Sequence, residues 1–271
     1  MSIVFRGSLS LDRIDRSMAG PCTSTCTIDL RGTTWVDAYA LVALACHIHE
    51  TASRHVPVRF LPPRNANVGR YLTRMGLGTV LTEVGAQIDG RMQSVFRRRN
   101  LGDRLVELQA YATELEMYAL CQVVQNTVAA GLDRNQQLAI WWTTGEAGGN
   151  ALEHSLTAHG PFMAAQHYRK THELVIGIGD TGQGLRSALH RHAPPTDSAA
   201  IDLAVTPGVS GTDDPARGRG LEYFIDGVLN LGGTATIRTG GALHLISRDR
   251  TDRFSVVDQR GTVVGVRVPC T

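Results

Sequence analysis

Short apolar runs alternate with longer amphipathic ones over the first third of the chain. Residues 26–30 alternate between apolar and polar positions like a strand, and residues 31–34 are predicted to turn the chain. Residues 56–61 are predicted as the next strand, and Pro57 places it at a sheet edge or at a strand start. These runs predict the strands of a small sheet.

Two helices are predicted between and after these strands. Asp37 stands at the N-cap position of a helix over residues 38–54, whose apolar side chains share one face. A second amphipathic helix is predicted over residues 65–75, with Gly76 at the position where glycine commonly ends a helix. Strand, helix, strand and helix at these intervals predict a small α/β unit.

This order of elements resembles the STAS domains of anti-sigma-factor antagonists, as do residues 37–44 (Asp-Ala-Tyr-Ala-Leu-Val-Ala-Leu) and residues 71–77. The resemblance covers about residues 1–95. In the regulated members an Asp is followed by a phosphorylatable Ser at the helix start, whereas Ala38 follows Asp37 here. Alanine has no hydroxyl group, so the resemblance implies the fold and a docking or scaffold role without that phosphoryl switch.

The helical pattern lengthens in the second part of the chain. Residues 105–110 are predicted as a strand, residues 113–130 as a helix ending at Gly131, and residues 134–155 as a longer helix. The apolar residues of the longer helix that are predicted to pack in the core are Leu138, Ile140, Trp141 and Leu152. Residues 95–104, which are rich in Arg, are predicted as the joint between domains 1–95 and 96–271.

Polar residues recur at every fourth position along the longer helix. Glu146, Asn150 and His154 therefore share one face, which alone is typical of a solvated surface. The small residues between them, including Gly148 and Gly149, would let another group approach closely. Asparagine offers a neutral oxygen to Mg²⁺, and a carboxylate one turn earlier can deprotonate an attacking group.

A buried-strand pattern over residues 174–180 ends on the carboxylate of Asp180, and Gly182 and Gly184 follow at once. An isolated Asp-x-Gly-x-Gly occurs in many ordinary turns. At the end of a strand, however, the carboxylate can accept a hydrogen bond from an exocyclic amine such as that of adenine. The glycines would let the backbone approach the base and the sugar.

Two glycine-containing segments follow. Residues 204–215 are rich in turn-forming residues, and Arg217-Gly-Arg-Gly220 leads into a helical run. Glycines at a helix start present free N–H groups to phosphate, although a mobile loop with a glycine hinge has the same composition. No Gly-Lys-Ser/Thr follows, so this is not a Walker A loop. Thr262 then precedes a predicted final strand over residues 263–268.

Taken in order, these motifs resemble the Bergerat ATP-binding fold of the GHKL superfamily, which includes DNA gyrase, histidine kinases and MutL. The resemblance spans about residues 98–271 and is greatest to anti-sigma-factor serine kinases, whose Asn helix also continues Asn-Ala-x-x-His. It implies an α/β sandwich in which helices cover one face of a mixed sheet. The whole chain is therefore predicted to be α/β, with a STAS-like domain followed by a Bergerat domain.

The resemblance also implies a role for each motif residue. Asn150 would hold Mg²⁺ bridging the phosphates, and Glu146 would be the general base for water or a protein hydroxyl. Asp180 would bind the adenine amine, helped through water by Thr262, while two glycines shape the base pocket. Those glycines are Gly182 and Gly184.

A lid over the phosphates is implied between residues 203 and 220. Arg217 or Arg219 would neutralise phosphate charge. The lid residues implied to bind the nucleotide are Ser210, Thr212, Arg217, Gly218, Arg219 and Gly220.

Nucleotide binding leaves several functions open. The first is a regulatory serine/threonine kinase that acts on an antagonist-like or sigma-factor-like protein partner. The alternatives are an ATP-gated interaction module and a slow ATPase without protein kinase activity. A MutL-like ATPase needs a transducer domain after the last strand, and a histidine autokinase needs a dimerising four-helix segment; neither is expected here. The resemblance leaves a homodimer open.

Composition narrows these classes only slightly. A net charge of +2 does not indicate binding to nucleic acid or to an anionic membrane surface. The five cysteines are irregularly spaced, and Cys46 is expected to be buried while His47 and His49 face solvent rather than bind metal. Residues 1–6 lack the apolar stretch of a secretory signal, and no run is long enough to span a membrane. A cytoplasmic location is therefore expected.

Overall fold

The computed structural model describes residues 2–18, 24–92, 105–128, 132–155, 159–209 and 220–270. They form a mixed α/β structure with one parallel and one antiparallel sheet. The joint predicted at residues 95–104 lies outside the described ranges. None of the helices in these ranges combines the length and the apolar character that crossing a membrane requires.

The first sheet is parallel and has four strands in sequence order. Its strands are β1 (Ser2–Leu9), β2 (Cys26–Val36), β3 (Val58–Leu61) and β4 (Gln87–Ile88). The turn predicted at residues 31–34 is wrong, because β2 continues through these residues and pairs with β1 across two register shifts, with Gly32 opposite Arg6. Pro57 directly precedes β3, where its missing N–H group costs no ladder bond.

Four helices accompany this sheet. They are α1 (Ile14–Ser17), α2 (Ala38–Ser53), α3 (Ala66–Arg74) and α4 (Leu77–Glu83). The predicted N-cap of α2 is confirmed, because the Asp37 carboxylate accepts hydrogen bonds from the Ala40 amide at 2.8 Å and from the Leu11 amide at 2.9 Å. The position predicted for Gly76 at the end of α3 is also confirmed, because Gly76 directly follows the C-cap residue Met75 and has a φ of 86°.

The second sheet has five strands in the order β5-β6-β7-β9-β8. They are β5 (Leu105–Ala110), β6 (Phe162–Tyr168), β7 (Glu173–Gly179), β8 (Thr234–Ile246) and β9 (Thr251–Pro269). All four pairings are antiparallel, so the prediction of a mixed sheet in this region is wrong. The predicted bounds of β5 are confirmed.

Of the α-helices that the described residues form in this part, the first two and the last were predicted, whereas the two shorter helices between them were not. They are α5 (Glu114–Val123), α6 (Arg134–Ser155), α7 (Gly184–Ala188), α8 (Asp197–Ala204) and α9 (Gly220–Asn230). The bounds predicted for α6 are confirmed, and a π-helical turn over Val124–Val128 continues α5. Among the residues of α6 predicted to be in the core, Ile140 is buried, whereas the Leu138 side chain is 43% exposed.

Helix α2 packs between the two sheets. Successive side chains of β7 point to opposite faces of the sheet. Val175 lies in the core beneath α2. Leu174, Ile176 and Ile178 lie in the core on the other face, beneath α5, α6 and α9. The second sheet therefore carries helices on both faces, and the prediction of one covered face is wrong. The reason is that α2 comes from the first third of the chain, beyond the motifs that predicted the sandwich.

Small residues let α2 lie flush against the second sheet. A Cβ atom at Gly177 would come within 2.8 Å of the Tyr39 Cα, and one at Gly179 would come within 3.0 Å of the Cys46 Sγ. His47 and His49, predicted to face solvent, are buried because both sides of α2 are covered. Ala38 is fully buried as well.

A buried ion pair joins the two parts of the chain. The Arg238 Nε of β8 lies 3.1 Å from the Asp15 Oδ1 of α1. The Tyr39 hydroxyl of α2 donates a 2.7 Å hydrogen bond to the other oxygen of the same carboxylate. Since all three side chains are at most 1% exposed, the pairing is part of the core rather than of the surface.

Candidate functional site

A pocket opens between helix α6 and the end of β7, on the sheet face opposite α2. It has an empty volume of about 380 Å³, part of it open to solvent. Its apolar lining comes from Ile178, Leu185, Leu221 and Val264, together with alanines of α6 and α7. Four predicted site residues also line it: Asn150, Asp180, Gly184 and Thr262.

The Asp180 carboxylate lies directly after β7 and is 2% exposed. Its Oδ1 accepts a 2.7 Å hydrogen bond from the Gly182 amide, and its backbone N–H donates to the Thr262 carbonyl at 2.9 Å. Burial raises the pKa of this carboxyl to about 7, although the Gly182 and Thr262 amides lower it. The result is a fixed carboxyl group in an apolar setting, which is suited to accepting a hydrogen bond from a donor on a ligand.

Glycines are required around Asp180 for packing reasons. A Cβ atom at Gly182 would overlap the His154 carbonyl oxygen at the end of α6, and one at Gly261 would overlap the Asp180 carbonyl oxygen. Gly184 has a φ of 74° and touches the Thr239 hydroxyl. Gly182 lets the loop lie against α6, and its expected role in shaping a base pocket stays a prediction.

Thr239 on β8 connects the segments around the pocket, although the sequence pattern did not single it out. Its hydroxyl accepts a 3.0 Å hydrogen bond from the Leu185 amide, lies 3.2 Å from the Gly261 carbonyl, and is 3.3 Å from the Thr262 hydroxyl. A threonine in a strand carries no motif, so only the strand pairing reveals this role. The predicted residue Thr262 is held in place through this network.

Helix α6 forms the opposite wall of the pocket. Asn150 and His154 line the pocket together with Ala147 and Ala151, as their shared helical face requires. Glu146 lies one turn earlier and is not part of the lining. Burial raises the pKa of the Glu146 carboxyl.

Neither Gly148 nor Gly149 of α6 lines the pocket. A Cβ atom at Gly148 would come within 2.8 Å of the Met117 Sδ, and the Tyr111 hydroxyl donates to the Gly148 carbonyl at 3.1 Å. Gly148 therefore serves the packing of α5 on α6. Gly149 has open space around it.

Helix α9 begins beside Asn150. A Cβ atom at Gly220 would overlap the Asn150 amide group, so glycine is needed for this approach. Farther along, Gly227 packs in the same way against the Thr143 hydroxyl of α6. The N-terminus of α9 and the amide of Asn150 thus meet at one end of the pocket.

The predicted lid is described only in part. Residues 203 and 204 are the last turn of α8, and a turn follows over residues 205–209. The predicted lid residues that lie outside the described part of the chain are Ser210, Thr212, Arg217, Gly218 and Arg219. Their predicted contacts with phosphate stay predictions.

The donor set of the pocket fits a weakly held divalent cation. Within the described ranges, no group of three or more His, Cys, Asp or Glu side chains is placed to hold a metal ion. Mg²⁺ is commonly bound by one or two protein oxygens plus the phosphates of a nucleotide, so such a cluster is not required. The Asn150 side chain supplies one oxygen of this kind at the pocket wall.

A second cavity, with an empty volume of about 350 Å³, lies on the other side of the sheet. Polar side chains of α2 and of the β8–β9 hairpin line it, among them Glu50, Arg54, Arg238 and Gln259. None of the predicted nucleotide-binding residues lines this cavity, and the apolar surface that a base requires is concentrated in the first pocket. The pocket at Asp180 is therefore the candidate site.

Comparison with other proteins does not assign a function, so the assignment depends on the geometry of the pocket. The sequence matches no protein-family model, and it matches no curated protein either.

Proposed function

We propose that this protein is an ATP-binding regulatory protein of the GHKL type, resembling the anti-sigma-factor serine/threonine kinases. The observation that carries the proposal is the buried Asp180 carboxylate at the end of a largely apolar pocket. Such a carboxylate can accept a hydrogen bond from the exocyclic amine of adenine. Ile178 and Val264 from the sheet and Leu185 from α7 provide apolar surface for the faces of the ring.

The other end of the pocket is suited to the phosphates. The first amides of α9 have no partner within the helix, and the helix dipole favours an anion at this end. Asn150 lies beside them and would hold Mg²⁺ through its side-chain oxygen. When bound, Mg²⁺ would neutralise part of the phosphate charge; Asn150 and the α9 amides would orient the chain of phosphates.

Glu146 is the proposed general base for phosphoryl transfer. It lies one helical turn before Asn150, and burial raises its pKa towards the range that a base at neutral pH requires. The acceptor would be a hydroxyl of an antagonist-like protein partner or water. Since Glu146 does not line the pocket, a module that binds ATP and docks a partner without transfer is the second candidate.

The proposal is tested by calorimetry with ATP and Mg²⁺. Asp180→Asn is expected to weaken binding by about 1.5–3 kcal/mol, because the charged acceptor of the adenine amine is lost. Asp202→Asn is the matched control, since Asp202 is half exposed and pairs with Arg253 on the surface. Wild-type affinity in Asp180→Asn would contradict the proposal.

The two candidate functions are separated by γ-labelled ATP, incubated with the protein alone and with antagonist-domain proteins. Glu146→Gln is expected to keep the affinity of the wild type and to lose both free phosphate and phosphoprotein. Transfer by the wild type supports the kinase. Binding without release or transfer, together with nucleotide-dependent capture of an antagonist-domain protein, supports the ATP-gated module.

A further inference from the structure

Helix α2 lies directly behind the strand that carries Asp180. On β7, Ile178 faces the pocket, while the neighbouring Gly177 and Gly179 face Tyr39 and Cys46 of α2. The strand therefore has the pocket on one side and α2 on the other. Any shift of α2 against this strand would move the backbone that fixes Asp180.

Glu50, near the end of α2, makes a direct hydrogen bond to the part of β9 that borders the pocket. Its Oε1 accepts from the backbone N–H of Arg260 at 3.0 Å, and it also pairs with the Arg54 guanidinium. The side chain is 6% exposed, so this bond is shielded from water.

Arg260 begins an irregular stretch of β9, at a register shift in its pairing with β8, that borders the pocket. The next residue, Gly261, has a φ of 84° and lies against the Asp180 carbonyl, and the Thr262 carbonyl accepts the Asp180 amide. Thr262 itself lines the pocket. A residue on α2, 210 positions earlier in the chain, thus holds the stretch of β9 that holds Asp180.

We infer that Glu50 is a positioning residue for the nucleotide pocket, so that the first part of the chain forms the back wall of the site. This inference rests on the proposed function, because the affinity it concerns is that for ATP. Glu50 does not line this pocket; it acts through Arg260 and the irregular stretch of β9 after it. A conformational change in the STAS-like region would then be transmitted to the pocket through α2.

Two conservative variants test the inference. Glu50→Gln keeps the length of the side chain and an acceptor oxygen for the Arg260 amide but loses the charge. Glu50→Asp keeps the charge but shortens the side chain by one methylene, so it no longer reaches the amide. If Glu50 positions the pocket, Glu50→Asp should weaken ATP binding by about 3- to 30-fold. The affinity of Glu50→Gln for ATP should stay within about threefold of that of the wild type.

The measurements are calorimetry with Mg-ATP and amide hydrogen exchange over residues 260–262, at a temperature where circular dichroism shows every variant folded. Exchange at these residues is expected to rise in Glu50→Asp and to stay near that of the wild type in Glu50→Gln. Asp89→Asn is the matched control, because Asp89 pairs with Arg59 at the far edge of the first sheet. It should change neither reading.

The outcomes separate this inference from the proposed function. If the wild type binds ATP and Glu50→Asp binds it equally, Glu50 does not position the pocket. If Glu50→Gln is weakened more than Glu50→Asp, the charge rather than the hydrogen bond matters, and the inference is overturned. If the wild type binds no ATP, the proposed function fails and this inference fails with it.

Discussion

Helices α2 and α6 lie on opposite faces of the second sheet and are built from different residues. Every residue of α2 from Ala38 to Thr51 is buried, because the helix lies between two sheets. Helix α6 is longer but buries only one face, and its remaining surface carries a polar stripe with Asn150 and His154 at the pocket. A helix that is apolar all round belongs in the interior, whereas a helix with one small apolar face can border a ligand site.

The largest expected effect concerns the α2 side of this comparison. Arg238→Met removes one partner of the buried pair with Asp15 and leaves that carboxylate beside only the Tyr39 hydroxyl. The free energy of unfolding is expected to fall by about 3–5 kcal/mol, measured by urea denaturation. Arg253→Ala breaks a surface pair with Asp202 and is expected to cost less than about 1 kcal/mol.

A double variant shows whether the cost comes from the uncompensated charge. Asp15→Asn combined with Arg238→Met removes both charges and keeps an acceptor oxygen for Tyr39. It is expected to recover a large part of the lost stability. If the loss in the free energy of unfolding of the double variant equals the sum of the losses of the two single variants, Asp15 and Arg238 are not coupled, contrary to the geometry.

The next effect tests how closely α2 packs on the sheet. Gly177→Ala places a Cβ atom within 2.8 Å of the Tyr39 Cα, and backbone cannot move aside as a flexible side chain can. We expect a loss of about 1–3 kcal/mol in the free energy of unfolding, measured by the same denaturation experiment. Unchanged stability would mean that α2 is not seated against β7.

The sequence predicted the helices and strands of this comparison better than the tertiary contacts around them. The bounds of α6 and β5 and the cap of α2 depend on residues that lie within one turn or one strand of each other, and these predictions are confirmed. The burial of His47 and His49 depends on a sheet whose other strands, from β6 onwards, begin more than 100 residues later, which no local pattern shows. Strands β6 and β8 were not predicted.

The candidate site shows the same division. Asp180 and Thr262 were singled out by motifs, and the structure brings them to one pocket with Asn150 and Gly184. Thr239 and Glu50 were missed, because each acts through a backbone group that lies far away in the sequence: the Leu185 amide for Thr239 and the Arg260 amide for Glu50. Such partners follow from strand pairing and helix packing rather than from residue type.

The pocket side of the comparison predicts a pH dependence. Burial raises the pKa of Asp180 from its ordinary value of 3.8 to about 7, so the fold disfavours the ionised form and loses stability from this group as pH rises between these values. A ligand that needs the carboxylate should therefore bind more tightly as pH rises through 7. From pH 6 to pH 8 the ionised fraction grows about tenfold, and affinity should grow by a similar factor.

Adenosine is the ligand for this measurement, because phosphate has an ionisation near pH 6 that would overlap with that of Asp180. Titrations followed by NMR at pH 6, 7 and 8 give the affinity, and Asp202→Asn should show the same profile as the wild type. An affinity independent of pH would mean that Asp180 is not the acceptor for the adenine amine.

The smallest expected effect compares two adjacent glycines of α6. Gly149 lies in the helix interior with open space around it, so Gly149→Ala should raise the free energy of unfolding by about 0.5–1 kcal/mol through helix propensity alone. Gly148→Ala adds the same methyl group within 2.8 Å of the Met117 Sδ, and here the packing cost opposes the gain in propensity. Thermal denaturation of the two variants should therefore show Gly149→Ala as the more stable of the pair. The opposite order would mean that α5 does not pack against Gly148 and that this face of α6 is as open as its neighbour.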